Sequence, residues 1–218
     1  MRRTSIRAYL ETVPKRSFAV AIEWPGWSRA GKTPEAALEA LLAYAPRYAV
    51  VAAAAGLPFT DDDLDAEVVE RLDGDASTEF GVPGRIAEAD REATDSTEAL
   101  RLVAIVGAAW TVFDRVAAAA PALLRKGPRG GGRDTARVVE HVVLADHGYG
   151  QELGIRLPAP EPTDRAAMSA MRERMLEVVG RPSDGTPLTK RWTQRYAARR
   201  IAWHALDHAW EIEDRTER

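Results

Sequence analysis

The chain contains no cysteine in 218 residues. Disulfides, thiolate metal ligands and a cysteine nucleophile are therefore excluded, and any thiol taking part in a reaction must arrive as a small molecule. Histidine is scarce, with four in all, so imidazole chemistry has few places to occur. Charge of either sign is not in excess: 30 Lys and Arg stand against 33 Asp and Glu, for a net charge of -3 and a pI near 5.9. That balance argues against a broad basic surface for nucleic acid or anionic lipid. Long apolar runs are missing too, because residues 49–57 are too few to span a bilayer and residues 102–124 are interrupted by Asp114 and Arg115. Arg2 and Arg3 precede no signal-peptide core, since Arg7 breaks the stretch from Ile6 to Leu10. These absences predict a soluble cytoplasmic protein with no nucleic-acid and no membrane partner. The 45% apolar content that remains is enough for one large core or two modest ones.

The first 90 residues read as a small β-sheet-plus-helix domain. Ile6 to Glu11 and Ser17 to Trp24 have strand character and are separated by the turn-prone Pro14-Lys15-Arg16. Phe18, Val20, Ile22 and Trp24 alternate with Ser17, Ala19, Ala21 and Glu23, the period of a sheet with one strongly apolar face. After Pro25-Gly26 comes a short strand from Trp27 to Ala30. Thr33-Pro34-Glu35 then supplies an N-cap, a first-turn proline and a first-turn acid. A helix is expected from Pro34 to about Ala54, burying Ala37, Leu38, Leu41, Leu42 and Ala45, with Pro46 kinking or interrupting it. The acidic run Asp61-Asp62-Asp63-Leu64-Asp65 lacks the glycine and terminal glutamate of a calcium loop and reads as solvated. Glu67 to Leu72 and Thr78 to Val82, about a turn at Asp73-Gly74-Asp75, are expected to form a hairpin extending the sheet.

From residue 91 onward the pattern is helical. Asp95 and Glu98 have capping-box spacing and open a helix with Leu100, Val103, Ala104, Gly107, Trp110, Thr111, Asp114 and Ala117 along one side. A glycine-rich connection from Lys126 to Arg133, with the basic cluster Arg125, Lys126, Arg129 and Arg133, leads to a second helix over Asp134 to Leu153. A third is expected from Thr163 to Val179, and a last from Leu188 to about Arg215. The fold class is thus α+β, with a sheet-plus-helix domain over 1–90 followed by a four-helix bundle over 91–218.

The chemistry concentrates in the last helix. His204 and His208 stand four apart, displaced by about 40° on a helix, and Glu211 joins the same stripe. Ile201, Ala205, Ile212, Trp203, Leu206 and Trp210 flank the stripe and place it inside the protein. Two imidazoles at this spacing can aim nitrogens at one cation. Of the other histidines, His141 and His147 lie about 120° apart on their helix and cannot both face one site. His141 sits among Val138, Leu144, Ala145, Gly148 and Tyr149 and is the better third ligand; His147 has the more mixed surroundings of Glu140 and Val143.

Two resemblances accompany these readings. Phe18-Ala-Val-Ala-Ile-Glu-Trp-Pro25-Gly26 followed by Gly31-Lys-Thr33-Pro34-Glu35-Ala36-Ala37-Leu38 resembles the HicB-like family of antitoxin-type domains, whose members commonly neutralise a small ribonuclease. Arg137-Val-Val-Glu-His141-Val-Val-Leu-Ala-Asp146 and Trp203-His204-Ala-Leu-Asp-His208 resemble the helix-two and terminal histidine phrases of the DinB-like, or YfiT-like, four-helix bundles. The second resemblance implies a divalent metal, zinc or nickel first and iron also, on His141, His204 and His208. It also implies a small thiol such as bacillithiol or mycothiol as cosubstrate. Where that family continues arginine-glycine-glutamine after the last histidine, this chain has Ala209-Trp210-Glu211.

The expected function is accordingly a metal-dependent transferase or hydrolase acting on a small molecule. Glu211 would handle protons, act as a fourth ligand or hold a histidine nitrogen, while Trp110, Tyr149 and Trp203 line the pocket for the cosubstrate. The rival expectation is a non-catalytic binding or regulatory protein. In it the HicB-like domain docks a partner or makes a homodimer through a sheet edge at Arg7 to Glu11.

Overall fold

A computed structural model describes residues 4–126 and 132–216. Residues 127–131, the middle of the expected glycine-rich connection with Arg129 of its basic cluster, lie outside the described residues.

The protein is α+β, with one four-stranded mixed sheet and helices. Strands β1 (Thr4–Val13), β2 (Arg16–Ala21) and β3 (Ser28–Gly31) form an antiparallel meander in which Val13 pairs with Arg16 and Val20 with Ser28. Helix α1 (Pro34–Ala43) starts as its residues dictate: Thr33 accepts a hydrogen bond from the Ala36 N–H, and Pro34 gives up no bond at the first position. Its axis bends by 51° into α2 (Ala45–Ala54), where Pro46 has no N–H to continue the ladder. Ala37, Leu41 and Ala45 are buried on this pair, with Leu38 and Leu42 packed against the same core.

β4 (Leu64–Asp73) overturns the expected hairpin. It lies parallel beside β1, so the sheet order is β3-β2-β1-β4, and the α1–α2 crossover supplies the connection that parallel pairing requires. Thr78 to Val82 makes no strand. It falls largely within α3 (Ala76–Phe80), where the Asp75 side chain accepts from the Ser77 N–H and Thr78 Oγ1 accepts from the Asp75 N–H. This reciprocal cap outweighs the β preference of the same residues. Because β4 covers it, β1 is an interior strand, and the dimerising edge expected at Arg7 to Glu11 does not exist. The long outer edge is β4 itself, bulged opposite Ala8 and Tyr9 and bearing exposed Asp65, Glu67, Arg71 and Asp73. A bulge and alternating charges are what guard an edge strand against pairing. Both faces of β2 are buried, not one, since Phe18 and Val20 pack with Tyr9 and Ala87 while Ala19 and Ala21 belong to the main core.

Four long helices follow: α4 (Ser96–Ala119), α5 (Thr135–Glu152), α6 (Arg165–Val179) and α7 (Gln194–Arg215). Asp95 caps α4 through the Glu98 N–H at 2.8 Å. The face of α4 that is fully buried carries Leu102, Ile105, Val106, Ala109 and Phe113, whereas Leu100 from the expected stripe is 67% exposed. That stripe instead borders a groove shared with α6. By length and composition α4 could cross a membrane, but its buried residues belong to the common core. α7 begins six residues later than expected, because Thr193 caps it through the Tyr196 N–H and Leu188 closes a turn with Trp192.

One hydrophobic cluster runs through both halves, from Leu10, Trp27 and Leu41 to Leu102, Ile201 and Leu206. The β2–β3 turn touches α7 directly. Gly26 has φ +93°, and a Cβ there would lie 3.0 Å from the Ala202 Cβ, so this close approach admits only glycine. Nearby, Arg199 of α7 forms a buried two-pronged ion pair with Asp90, at 2.5 Å and 3.1 Å, with the Tyr9 and Tyr196 rings against its guanidinium.

Candidate metal centre

α7 is the helix around which the others pack, and its burial on nearly every side leaves His204 and His208 only 6% and 8% exposed. α5 brings His141 to them from 63 residues away. The ligating nitrogens of the three rings all lie within 4.8 Å of one another, and Nε2 of His204 stands 3.2 Å from Nε2 of His141. Two imidazole nitrogens bound to one tetrahedral ion at 2.0–2.1 Å stand about 3.3 Å apart, so the His141 and His204 donors already have the spacing a shared cation requires. Ring centroids are 4.6 Å apart for His204 and His208, 5.0 Å for His141 and His204, and 4.9 Å for His141 and His208.

Protonation favours the same use. Burial pushes His141 down to about 4, helped by the neighbouring His208 and by Arg133. Burial also holds His204 well below the ordinary imidazole range, with His208 and Arg200 adding to it. Both rings are therefore neutral at physiological pH, the form that binds metal.

Glu211 accepts from Nδ1 of His208 at 2.8 Å and from the Arg215 guanidinium at 2.7 Å. These two donors, the His208 bond foremost, hold its carboxyl down to about 2. An ionised carboxylate only accepts, so the His208 proton must sit on Nδ1 and the Nε2 lone pair is left for a ligand. Of the three roles open to Glu211, the geometry displays the one in which it holds a histidine nitrogen.

The expected pocket residues separate. Tyr149 meets the His204 ring edge-on at 5.6 Å, and Trp203 lies 6.0 Å from it while also touching Phe18 of β2. Trp110 stands elsewhere, beneath the Arg172 guanidinium and beside the buried Asp146, bordering a groove of about 530 Å³ between α4 and α6. His147 turns away from the trio and places Nε2 2.9 Å from the Leu157 carbonyl. Two cations go unassigned to the trio in the sequence: Arg133, evident there only as part of a basic cluster, and Arg200. Arg200 was findable, because it precedes His204 by four residues and so shares its face of α7. Arg133 sits in a loop with no periodicity to betray its direction.

Comparison with protein-family models, with curated proteins and with solved structures yields no match to this chain.

Proposed function

We propose that the chain is a divalent-metal-dependent protein in which α4 to α7 make a four-helix bundle of the DinB-like type and His141, His204 and His208 hold zinc, nickel or iron. The observation that carries this reading is the 3.2 Å approach of two imidazole nitrogens from distant helices, with a third imidazole beside them. A bound ion with an open position supplies the Lewis acidity that makes hydroxide or thiolate available near neutral pH. The reaction class that suits it is transfer or hydrolysis on a small molecule, with any thiol as cosubstrate because the chain has none of its own.

The chain's own residues divide the work. Glu211 orients His208 and fixes its tautomer. Tyr149 and Trp203 wall the site and limit water around His204. The HicB-like sheet supports α7 from behind through Gly26 and through Phe18 against Trp203. The test is elemental analysis of untagged protein beside a His204→Ala, His208→Ala double variant. Near-stoichiometric metal in the first and little in the second is the expected result; no uptake by either, with zinc or nickel supplied, would refute the reading.

A further inference from the structure

α7 carries four arginines besides its histidines, and three of them have carboxylate partners. Arg195 bonds Glu98, Arg199 bonds Asp90, and Arg215 bonds Glu211. Arg200 differs. Among the described residues no carboxylate lies within ion-pair distance of it, and its Nη1 is buried without a hydrogen bond. Its guanidinium packs over the Trp203 ring at 4.7 Å and the Tyr149 ring at 5.5 Å. These are the same two rings that flank His204, one turn further along the helix. The residue is half-buried and meets the Tyr149 side chain, yet a buried donor left unmet is costly unless something completes it.

The charge around the trio points the same way. Arg133 and Arg200 both act on the histidines, whereas Glu211, the acid bonded to the trio, is already occupied by His208 and Arg215. Neutral imidazoles add nothing negative. A divalent ion would make the site more positive still.

We infer that Arg200, with Tyr149 and Trp203 as its walls, forms a carboxylate-binding subsite beside the histidine trio, so that the substrate is a small organic anion anchored by its carboxylate. The inference rests on the metal-centre reading for its placement. A planar guanidinium packed against two aromatic rings holds its donors in a fixed orientation, the arrangement that suits bonding to a carboxylate. Arg200 is a specificity residue here and touches no metal.

The experiment compares binding of propionate with that of propionamide, the neutral molecule of the same shape, by calorimetry on metal-loaded protein. Wild type is set beside Arg200→Gln and Arg200→Lys, with metal content measured in each. Metal itself favours a carboxylate, so the deciding quantity is the change between variants. Arg200→Gln is expected to keep its metal and to lose about tenfold in the preference for propionate, and Arg200→Lys to fall between, since it keeps charge but not the planar fork. Propionate binding equal to wild type in Arg200→Gln overturns the subsite. Should Arg200→Gln lose its helical circular dichroism, Arg200→Lys decides, and undiminished binding there overturns it as well. Failure of wild type to take up metal would count against the metal reading alone. The same comparison on metal-free protein would then judge the subsite.

Discussion

Nδ1 of His208 and Oε2 of Glu211 lie 2.8 Å apart on adjacent turns of α7. The carboxylate thereby assigns the proton of the imidazole and turns its other nitrogen toward His141 and His204. Glu211→Gln keeps the shape but loses the charge. We expect metal affinity to fall by about 10- to 100-fold, the usual effect of removing an acceptor behind a metal-bound histidine, with the helical circular dichroism unchanged. Competition with a chromophoric chelator measures it; an affinity within about twofold of wild type would show that Glu211 does not tune the site.

The histidines make the metal-free fold sensitive to acid. In the unfolded chain imidazole takes its proton near 6.5, whereas folded His141 resists until about 4. The unfolded state therefore binds more protons below 6.5, and stability is lost as pH falls from about 6.5 toward 4, with no loss above that window. Asp146, pushed up to about 6 chiefly by burial, acts in the opposite sense over part of the range. The comparison is therefore between wild type and His141→Gln. The drop in urea midpoint from pH 7 to pH 5 should be smaller in the variant, and equal drops would contradict the assignment.

Asp90 and Arg199 tie the segment behind the sheet to α7 in a buried pair. Removing one partner strands the other, so Asp90→Ala should cost about 3–5 kcal/mol in urea unfolding. The double change Asp90→Ala with Arg199→Met should cost less than the sum of the two single changes. Strict additivity would mean the two groups do not depend on each other.

Two left-handed glycines should respond differently to alanine. Gly185 has φ +88°, and its added Cβ would fall 1.9 Å from the Arg91 carbonyl oxygen, in the loop that Ser183 bridges to Thr94. Gly56 has φ +68° with nothing within 4 Å. Gly56→Ala should cost roughly 1–2 kcal/mol from backbone strain alone, and Gly185→Ala clearly more, because the loop must also move. Melting temperatures of the two variants give the comparison, and equal shifts would count against the clash.

Local chemistry made much of this protein readable. Thr33-Pro34 and Asp95 mark their helix starts because a side-chain oxygen within three residues meets an otherwise orphan N–H. Pro46 announces its bend for a reason equally local. His204 and His208 were recognisable as a pair since helical periodicity alone sets which residues share a face. The errors arose where two local signals competed or where the partner was remote. Thr78 to Val82 has strand-forming residues, but the Asp75 and Thr78 cap turned them into a helix. Spacing places Leu100 to Ala117 along one side of α4 but does not say which side is buried; the core took Leu102, Ile105 and Val106 together with Trp110.

By itself, then, the sequence determined where helices begin and bend, the pairing of β1 with β2, and the presence of two imidazoles on one side of α7. Tertiary structure alone decided that β4 would lie parallel to β1 and close its edge. It also brought His141 to His204 across 63 residues, separated Trp110 from Tyr149 and Trp203, and left Arg200 beside the site with no carboxylate partner among the described residues. The physical reason is range. Caps and turns are settled by groups a few residues apart, whereas the neighbour of a strand or the face of a buried helix is settled by the packing of the whole core.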